Sequence, residues 1–288
     1  MHHFLLRALP LLVSLLGVLP SPTVLAYTFT TIQVQDAVLT EARGINSRGE
    51  LVGFYADGQA GLFHGFVAGG EITDLLNIPG ASATRLFGLN DLGHVVGGYI
   101  DGNGSGYGFV AQNGTIEAFG VNGATFTSAE GINAKGQIVG YNVGPNDRHR
   151  GFLYDKGVFK TLDVPKATFT EPHGINNKGK IVGTYVDKAG KFHGFVYDKG
   201  KFTTIDVPSK ATALFTQARG ITNDGRMVGY YVADVRYHGF VYYKKGKFTT
   251  MDVPDATHTY VHHINESGQI VGTYRDQNNR TYGFVATP

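Results

Sequence analysis

Residues 174–183 read GINNKGKIVG, in which a turn of Asn and Gly separates two short apolar segments. Asn and Gly suit the positive φ angles of a short hairpin loop, so the stretch predicts two antiparallel strands joined at residues 176–179. The same marker begins at six places, at intervals of 44, 43, 43, 46 and 43 residues: Gly44, Gly88, Gly131, Gly174, Gly220 and His263. A period of this length is typical of a repeat fold.

Other columns keep the same register in all six repeats. A Thr lies four residues before each marker, at Thr40, Thr84, Thr127, Thr170, Thr216 and Thr259. A turn Gly and a Val-Gly pair follow each marker, and a Gly-Phe pair then begins at Gly65, Gly108, Gly151, Gly194, Gly239 and Gly283. So regular a pattern indicates six copies of one structural unit.

The fourth repeat shows its strands most clearly. Alternating apolar residues and turn residues predict strands over 159–164, 168–176, 180–186 and 192–197. Four antiparallel strands in a repeat of this length match one blade of a β-propeller. We therefore expect an all-β fold, a six-bladed β-propeller with four antiparallel strands per blade.

The two ends of the repeat array predict a closed ring. Residues 28–32 read TFTTI and match FTTI at 202–205, while the sequence stops soon after Gly283 without a further outer strand. We expect the N-terminal strand to complete the last blade, which would leave no unpaired sheet edge.

These columns resemble the HAF family of probable extracellular repeat proteins, named for a His-Ala-Phe motif. The sequence has His-Gly-Phe at His64, His193 and His238, with Tyr or Arg in place of His in the other repeats. The resemblance covers essentially the whole chain after residue 26. It implies export and a propeller-like repeat, and it implies no particular chemistry.

Residues 1–26 differ in composition from the repeats. A short basic start is followed by an apolar run over 8–19 and by small or apolar residues before Tyr27, which is the pattern of a secretory signal peptide. We expect residues 27–288 to form the propeller domain of a secreted or periplasmic protein that is not embedded in a membrane. The chain has no Cys, so packing rather than disulfides must stabilise it.

The charge balance bears on the partners. The chain has 25 Lys and Arg residues against 23 Asp and Glu residues. A balance so close to neutral argues against a nucleic-acid partner. An extracellular glycan or a component of the cell envelope fits better, and the sequence gives no indication of the oligomeric state.

The segments that lead into the marker strands and the loops before the Gly-Phe pairs should share one face of the ring. These loops vary in length and composition, as over 103–107, 145–150 and 276–282, whereas the turns on the other face are short and uniform, so we look for binding residues on the face with the variable loops. The residue just before each marker varies in type, and so does the residue two positions earlier, which should face the same side. From these two columns we predict a ligand-binding site for a polar or anionic ligand at Arg43, Glu130, His173, Arg219, Tyr260 and His262. The alternative is that these side chains form salt bridges between repeats or line a water-filled channel.

Two further features stay open. The residues before the Gly-Phe pairs (His64, Tyr107, Arg150, His193, His238, Tyr282) are all planar hydrogen-bonding groups, which favours a recurrent structural role, either bonding the invariant Thr or stacking on the next blade. In the sixth repeat His258, Tyr260, His262 and His263 lie close together, which indicates either a site or sequence drift.

No catalytic or cofactor motif is present in the sequence. Zinc-ligand spacings, a nucleophile elbow, a phosphate-binding loop and a dinucleotide fingerprint are all missing, so we expect no metal and no cofactor. The leading hypothesis is a binding module for glycan-like or anionic ligands.

Two alternatives remain. One is a lyase acting on uronate-containing polysaccharide, with Arg219 or Arg43 as the cation and His173, His262 or Tyr260 as the base. The other is an assembly platform, which would carry a large apolar patch.

Overall fold

In the computed structural model, residues 27–58, 62–69, 72–208, 215–243 and 246–288 are described, and they form 24 β-strands. Residues 1–26, where the sequence predicts an export signal, lie outside the described residues. In the described part of the chain, no helix is long and apolar enough to cross a membrane. The fold is all-β.

The strands fall into four classes by their position in the repeat. The marker strands are β2 (Leu39–Ile45), β6 (Ala83–Leu89), β10 (Phe126–Ile132), β14 (Phe169–Ile175), β18 (Thr216–Ile221) and β22 (His258–Ile264). The second strands, each with a Val-Gly pair, are β3 (Leu51–Ala56), β7 (Val95–Ile100), β11 (Ile138–Val143), β15 (Ile181–Val186), β19 (Met227–Ala233) and β23 (Ile270–Arg275).

The remaining strands complete each sheet. The third strands, each with a Gly-Phe pair, are β4 (Phe63–Ala68), β8 (Gly106–Gln112), β12 (His149–Asp155), β16 (Phe192–Asp198), β20 (Arg236–Tyr243) and β24 (Thr281–Thr287). The outer strands are β1 (Thr28–Ile32), β5 (Ile72–Leu76), β9 (Thr115–Phe119), β13 (Val158–Thr161), β17 (Lys201–Ile205) and β21 (Lys247–Met251).

The strands pair as antiparallel meanders. Four sheets have four strands each, and β22–β24, β2–β5 and β1 together form an eight-stranded sheet. Each marker strand also contacts the marker strand of the next repeat, and β22 contacts β2. Repeated four-strand units that follow one another in this way are the arrangement of a β-propeller.

The outer strand of each sheet comes from the following sequence repeat. We predicted 159–164 as the first strand of the fourth repeat, whereas β13 pairs with β12 and so lies in the preceding sheet. This offset leaves β24 without a following strand, and β1 fills the place. It pairs with β24 from Thr28–Thr287 to Ile32–Gly283, which confirms the predicted role of the N-terminal strand.

The invariant Gly and Phe columns reflect close packing within each sheet. The third-strand residues Phe66, Phe109, Phe152, Phe195, Phe240 and Phe284 are all at most 1% exposed. In the third repeat, a Cβ on Gly140 would lie 1.9 Å from the carbonyl oxygen of Ser128 and 2.9 Å from the Phe152 ring. No side chain fits there, so this column must be Gly.

The Asn of each marker connects neighbouring repeats. Its side-chain oxygen caps the turn that follows, and in five repeats its Nδ2 donates to a backbone carbonyl of the next repeat. The last of these bonds runs from Asn265 Nδ2 to the carbonyl of Asn46 (2.9 Å), so the sixth repeat is bonded to the first. Thr222 replaces Asn in the fifth repeat. The bond from Asn223 N to Glu266 Oε1 (2.8 Å), which has equivalents in repeats that keep their Asn, still joins it to the sixth repeat.

Candidate functional site

A β-bulge in each marker strand places the residue directly before the marker at the centre of the molecule. In every marker strand the register with the second strand shifts around the residue before the marker, as between Ala129 and Gly131. A bulge changes the direction of a side chain. The residues at these bulges, together with His263, line one small central cavity: Arg43, Phe87, Glu130, His173, Arg219 and His262.

Glu130 lies at the centre of these charges. Its Oε2 is 3.6 Å from His173 Nδ1, 3.7 Å from Arg219 Nη1 and 3.9 Å from Arg43 Nη2. Ser128 Oγ donates to the other carboxylate oxygen at 2.6 Å. The Glu130 side chain is only 6% exposed, so its charge is compensated by these neighbours and not by water.

The surroundings decide the protonation states. Burial alone would raise the pKa of Glu130, but His173 and the guanidinium groups of Arg43 and Arg219 hold it well below its usual range. Burial and the charge of Arg219 lower the pKa of His173. His173 Nδ1 lies between Glu130 Oε2 (3.6 Å) and Arg219 Nη1 (3.3 Å), and its Nε2 lies 3.7 Å from Glu171 Oε2. The cluster therefore holds an ionised Glu130 between two cations.

Residues two positions before the bulge face the same side, as predicted. Arg43 Nη1 donates to Glu41 Oε2 (3.1 Å), and Arg219 Nη2 donates to Gln217 Oε1 (2.7 Å). The sixth member of the prediction, Tyr260, also occupies this column. The structure thus brings together five predicted residues around one cavity, with Tyr260 one step further out.

The central cavity is nearly filled by these side chains. Its volume is about 10 Å³, which is room for one water molecule at most. The observed salt bridges match the alternative in which this column joins the repeats. A uronate does not fit between Arg43 and Arg219 as they stand, so the geometry gives no support to the lyase hypothesis, which stays a prediction from the sequence.

Two adjacent histidines of the sixth repeat line the central cavity, of which His262 is buried and His263 is half-buried. His262 Nε2 lies 3.2 Å from Thr273 Oγ1, and burial lowers the pKa of His262 well below its usual value. His263 replaces the marker Gly, lies between the central cavity and a second cavity at the opposite end of the ring, and has its pKa lowered by burial to about 4. Both rings are therefore neutral at pH 7.

A group of half-buried aromatic side chains lies beside the charged cluster. This aromatic platform consists of Phe215, Tyr237, His258 and Tyr260. The ring of Tyr237 lies 4.8 Å from that of Tyr260 and 5.6 Å from those of Phe215 and His258. Burial raises the pKa of Tyr260 to about 12, so its hydroxyl keeps its proton.

Tyr230 connects the platform to the charges. It accepts a hydrogen bond from Arg219 Nη2 (3.0 Å) and donates to Gln217 Oε1 (2.5 Å), and its ring packs 5.2 Å from Tyr260. Our sequence analysis missed Tyr237. It lies near the start of a third strand, directly before the planar residue, and the residues in that position vary as widely as those at the bulges: Phe63, Gly106, His149, Phe192, Tyr237 and Thr281. That variation was the available signal.

The planar residues before the Gly-Phe pairs have a structural role, but not the one we expected. In the fourth repeat His193 stacks on Tyr185 of the same sheet (4.9 Å) instead of on the next repeat. The invariant Thr is bonded elsewhere, since Thr170 Oγ1 accepts a hydrogen bond from Val164 N (3.0 Å). Equivalent ring contacts join the other pairs with two rings: Tyr55–His64, Tyr99–Tyr107, Tyr231–His238 and Tyr274–Tyr282.

The metal site and the large apolar patch considered in the sequence analysis can both be looked for among the described residues. Within the described ranges, no group of three or more His, Asp or Glu side chains is placed to hold a metal ion. The large apolar side chains that are exposed there lie in five separate turns or strands: Val38, Leu92, Ile116, Val158 and Val235. Such scattered residues give no support to an assembly platform.

Comparison with known proteins shows the fold. No family model matches the chain, and no curated protein matches it in sequence. Among solved structures, a triple arginine-to-alanine mutant of AofleA from Arthrobotrys oligospora has a TM-score of 0.58 at 14% identity, covering 90% of this chain and 86% of that one. An asparagine-to-glutamine mutant of the Aleuria aurantia lectin in complex with α-methyl-L-fucoside has a TM-score of 0.54 at 11% identity, covering 89% of this chain and 93% of that one.

An enzyme shares the fold as well. The gluconolactonase XC5397 from Xanthomonas campestris has a TM-score of 0.50 at 10% identity, covering 88% of this chain and 89% of that one. At these identities the comparisons establish a β-propeller and leave its chemistry to be argued from its own residues.

Proposed function

We propose that the protein is a secreted or periplasmic six-bladed β-propeller that binds carbohydrate at the aromatic platform. The sixfold count is supported by the four separate four-stranded sheets and by the way the eight-stranded sheet is joined. Its two halves meet through a single parallel pair, Leu39–Thr281, which we interpret as the contact between two neighbouring blades. The Aleuria aurantia lectin is itself described as a six-bladed β-propeller.

The platform is the observation that carries the proposal. A sugar ring has an apolar face of C–H groups and an edge of hydroxyl groups. Tyr and His side chains match both, because they offer a flat apolar face and a polar tip. Tyr237, Tyr260 and His258 are all half-buried, so they are held in place by packing while part of each ring remains accessible. The lectin among the structural neighbours binds a fucoside, which supports the same class of ligand.

The charged cluster has a supporting role in this proposal. The Glu130, Arg43 and Arg219 contacts fix the inner edges of the blades, and Tyr230 transmits that order to the platform through its bond to Arg219. Of the residues predicted from the sequence, Tyr260 is the one that the proposal places against the ligand. Arg43, Glu130, His173, Arg219 and His262 hold the scaffold.

A glycan array with the purified protein tests the proposal. The wild-type chain should bind at least one glycan, and Tyr237→Ala and Tyr260→Ala should each weaken that binding by about tenfold, since a buried aromatic contact contributes about 1–2 kcal/mol. Tyr197→Ala is the matched control, because Tyr197 is equally half-buried but packs on Phe202 (4.8 Å) in the outer part of the fourth sheet. Absence of binding by the wild-type chain, or full binding by both platform variants, would contradict the proposal.

A further inference from the structure

One blade lacks a ring pair that the other five possess. The fifth residue of each second strand faces the planar residue of the third strand, and in five repeats the pair consists of two rings, as with Tyr185 and His193. In the third repeat the same register positions hold Asn142 and Arg150. Asn142 is too short to stack, and its Nδ2 instead donates to the backbone carbonyl of Arg150 (3.2 Å).

In three of the blades the tyrosine reaches across to the outer strand. Tyr185 bonds Thr204 (2.9 Å), Tyr231 bonds Thr250 (2.8 Å) and Tyr274 bonds Thr31 (3.0 Å), each through its hydroxyl group. The register of β12 with β13 puts Thr161 at the equivalent position of the third repeat. There Thr161 has no tyrosine opposite it.

A cavity occupies the space that the tyrosine fills in the other blades. Its volume is about 400 Å³, and its lining includes Asn142, Arg148, Arg150, Thr161, Phe152 and Phe159. This volume falls within the range of small-molecule binding pockets, about 300–1,000 Å³. The cavity opens beside the loop over 144–148, which connects β11 to β12 and varies between repeats.

The electrostatics of this cavity favour an anion. Arg148 Nη2 and Arg150 Nε lie 3.8 and 4.0 Å from Asp163 Oδ2, so neither guanidinium is within hydrogen-bond distance of that carboxylate. The equivalent carboxylates of the next two blades, Asp206 and Asp252, lie 2.8 and 2.6 Å from their histidines. Two cations face one anion in the third blade, and a guanidinium binds a carboxylate through paired N–H donors.

We propose that this third-blade cavity binds a carboxylated sugar, with the carboxylate on Arg148 and Arg150. Asn142 and Thr161 supply an amide and a hydroxyl group for the sugar hydroxyls, and the half-buried Phe159 side chain contacts its apolar face. The site is separate from the aromatic platform, which is formed by the fifth and sixth repeats. It does not depend on the function proposed for the platform.

Restoring the missing pair tests the proposal. The variant Asn142→Tyr/Arg150→His gives the third blade the same Tyr–His pair that stacks as Tyr185 and His193 in the fourth. The new side chains should fill the cavity, and the protein should still fold. Isothermal titration calorimetry with trigalacturonate should show binding to the wild-type protein and none to this variant. Fully methyl-esterified trigalacturonate has the same sugars without the charge. It should bind the wild-type protein at least about tenfold more weakly, because it cannot form charge-assisted hydrogen bonds with the guanidinium groups.

Single variants keep the test decisive if the double variant does not fold. Arg148→Gln and Arg150→Gln change side chains that are about half exposed, at 47% and 52%, and each should weaken trigalacturonate binding by about tenfold. Arg280→Gln is the matched control. The backbone carbonyl of Arg280 accepts a hydrogen bond from Asp276 N, just as the carbonyl of Arg148 accepts one from Gly144 N, but Arg280 lies in a blade that keeps its tyrosine. It should bind as the wild type does.

Each contrary result overturns a defined part of the proposal. Binding that survives Asn142→Tyr/Arg150→His would show that the cavity is not the site. Equal affinity for the methyl ester would show that the carboxylate is not recognised, and failure of the wild-type protein to bind trigalacturonate would reject the ligand class. The platform variant Tyr237→Ala should bind trigalacturonate normally, so failure at one site is distinguishable from failure at the other.

Discussion

Replacing Glu130 by Gln tests whether the central charges hold the ring together. The side chain keeps its shape but loses its charge, and Arg43 and Arg219 lose the anion that lies 3.9 and 3.7 Å away. At an effective dielectric constant of about 20, each such pair is worth about 4 kcal/mol before desolvation is counted. Removing one partner of a buried ion pair typically costs about 3–5 kcal/mol, and we expect a loss of that size in the free energy of unfolding.

Urea unfolding at pH 7, followed by circular dichroism, measures this difference. Asp198→Asn serves as the control, since it breaks an exposed ion pair with Lys180 (2.9 Å, side chains 39% and 40% exposed) and should cost less than about 1 kcal/mol. A loss of less than about 1 kcal/mol for Glu130→Gln would refute the argument that the cluster is structural.

The pH dependence of the Glu130 effect has a fixed sign. The native pKa of Glu130 lies below the ordinary value of 4.5, so its stabilising effect is complete above that pH. As the pH falls toward the native pKa, the wild-type protein loses this effect, whereas the Gln variant has no charge to lose. The difference between the two proteins should therefore shrink below pH 4.5. A difference that grew on acidification would contradict the assignment.

Three further changes probe the scaffold. Gly140→Ala places a Cβ 1.9 Å from the Ser128 carbonyl and should abolish or severely reduce folded yield, whereas Gly69→Ala, with open space around it, should fold normally. Deleting residues 27–34 removes β1 and exposes the edge of β24, so size-exclusion chromatography should show self-association, and a monomer would contradict the edge argument. The native pKa of His263, about 4, lies below its ordinary 6.5, so the unfolded chain binds more protons between these values and stability should fall on acidification through that window. His263→Gln should lose this part of the pH dependence in urea unfolding, which is about 1.4 kcal/mol per pH unit at most. An unchanged profile would show that the ring titrates normally.

The fold could be predicted from the sequence because packing fixes the repeated columns. Gly140 must be Gly for want of space, Phe152 must fill the sheet interior, and the match of residues 28–32 with 202–205 predicted the pairing of β1 with β24. Such constraints act within one repeat or between adjacent ones, so they recur and become visible in a single chain.

The site was harder to predict because it depends on distances between repeats. The bulge column was recognised as unusual, but the sequence does not show that Glu130 lies within 4 Å of both Arg43 and Arg219, and so it did not distinguish a pocket from a salt-bridge cluster. The third-blade cavity exists because Asn142 is much smaller than the tyrosine that other repeats have at this position. Its column reads Tyr in the other five repeats, and the exception marks the place where space is left.

The pairing of β1 with β24 also has a consequence for protein engineering. Thr28 lies opposite Thr287, so the two ends of the described chain are neighbours. A short linker from residue 288 back to residue 27 would convert the chain into a covalent circle, which could be reopened at any exposed turn. The exposed turns between third and outer strands, such as Lys156-Gly157 and Lys199-Gly200, are suitable places for new termini. Circularly permuted forms should therefore fold, and each would bring a fused tag or enzyme to a different point around the rim.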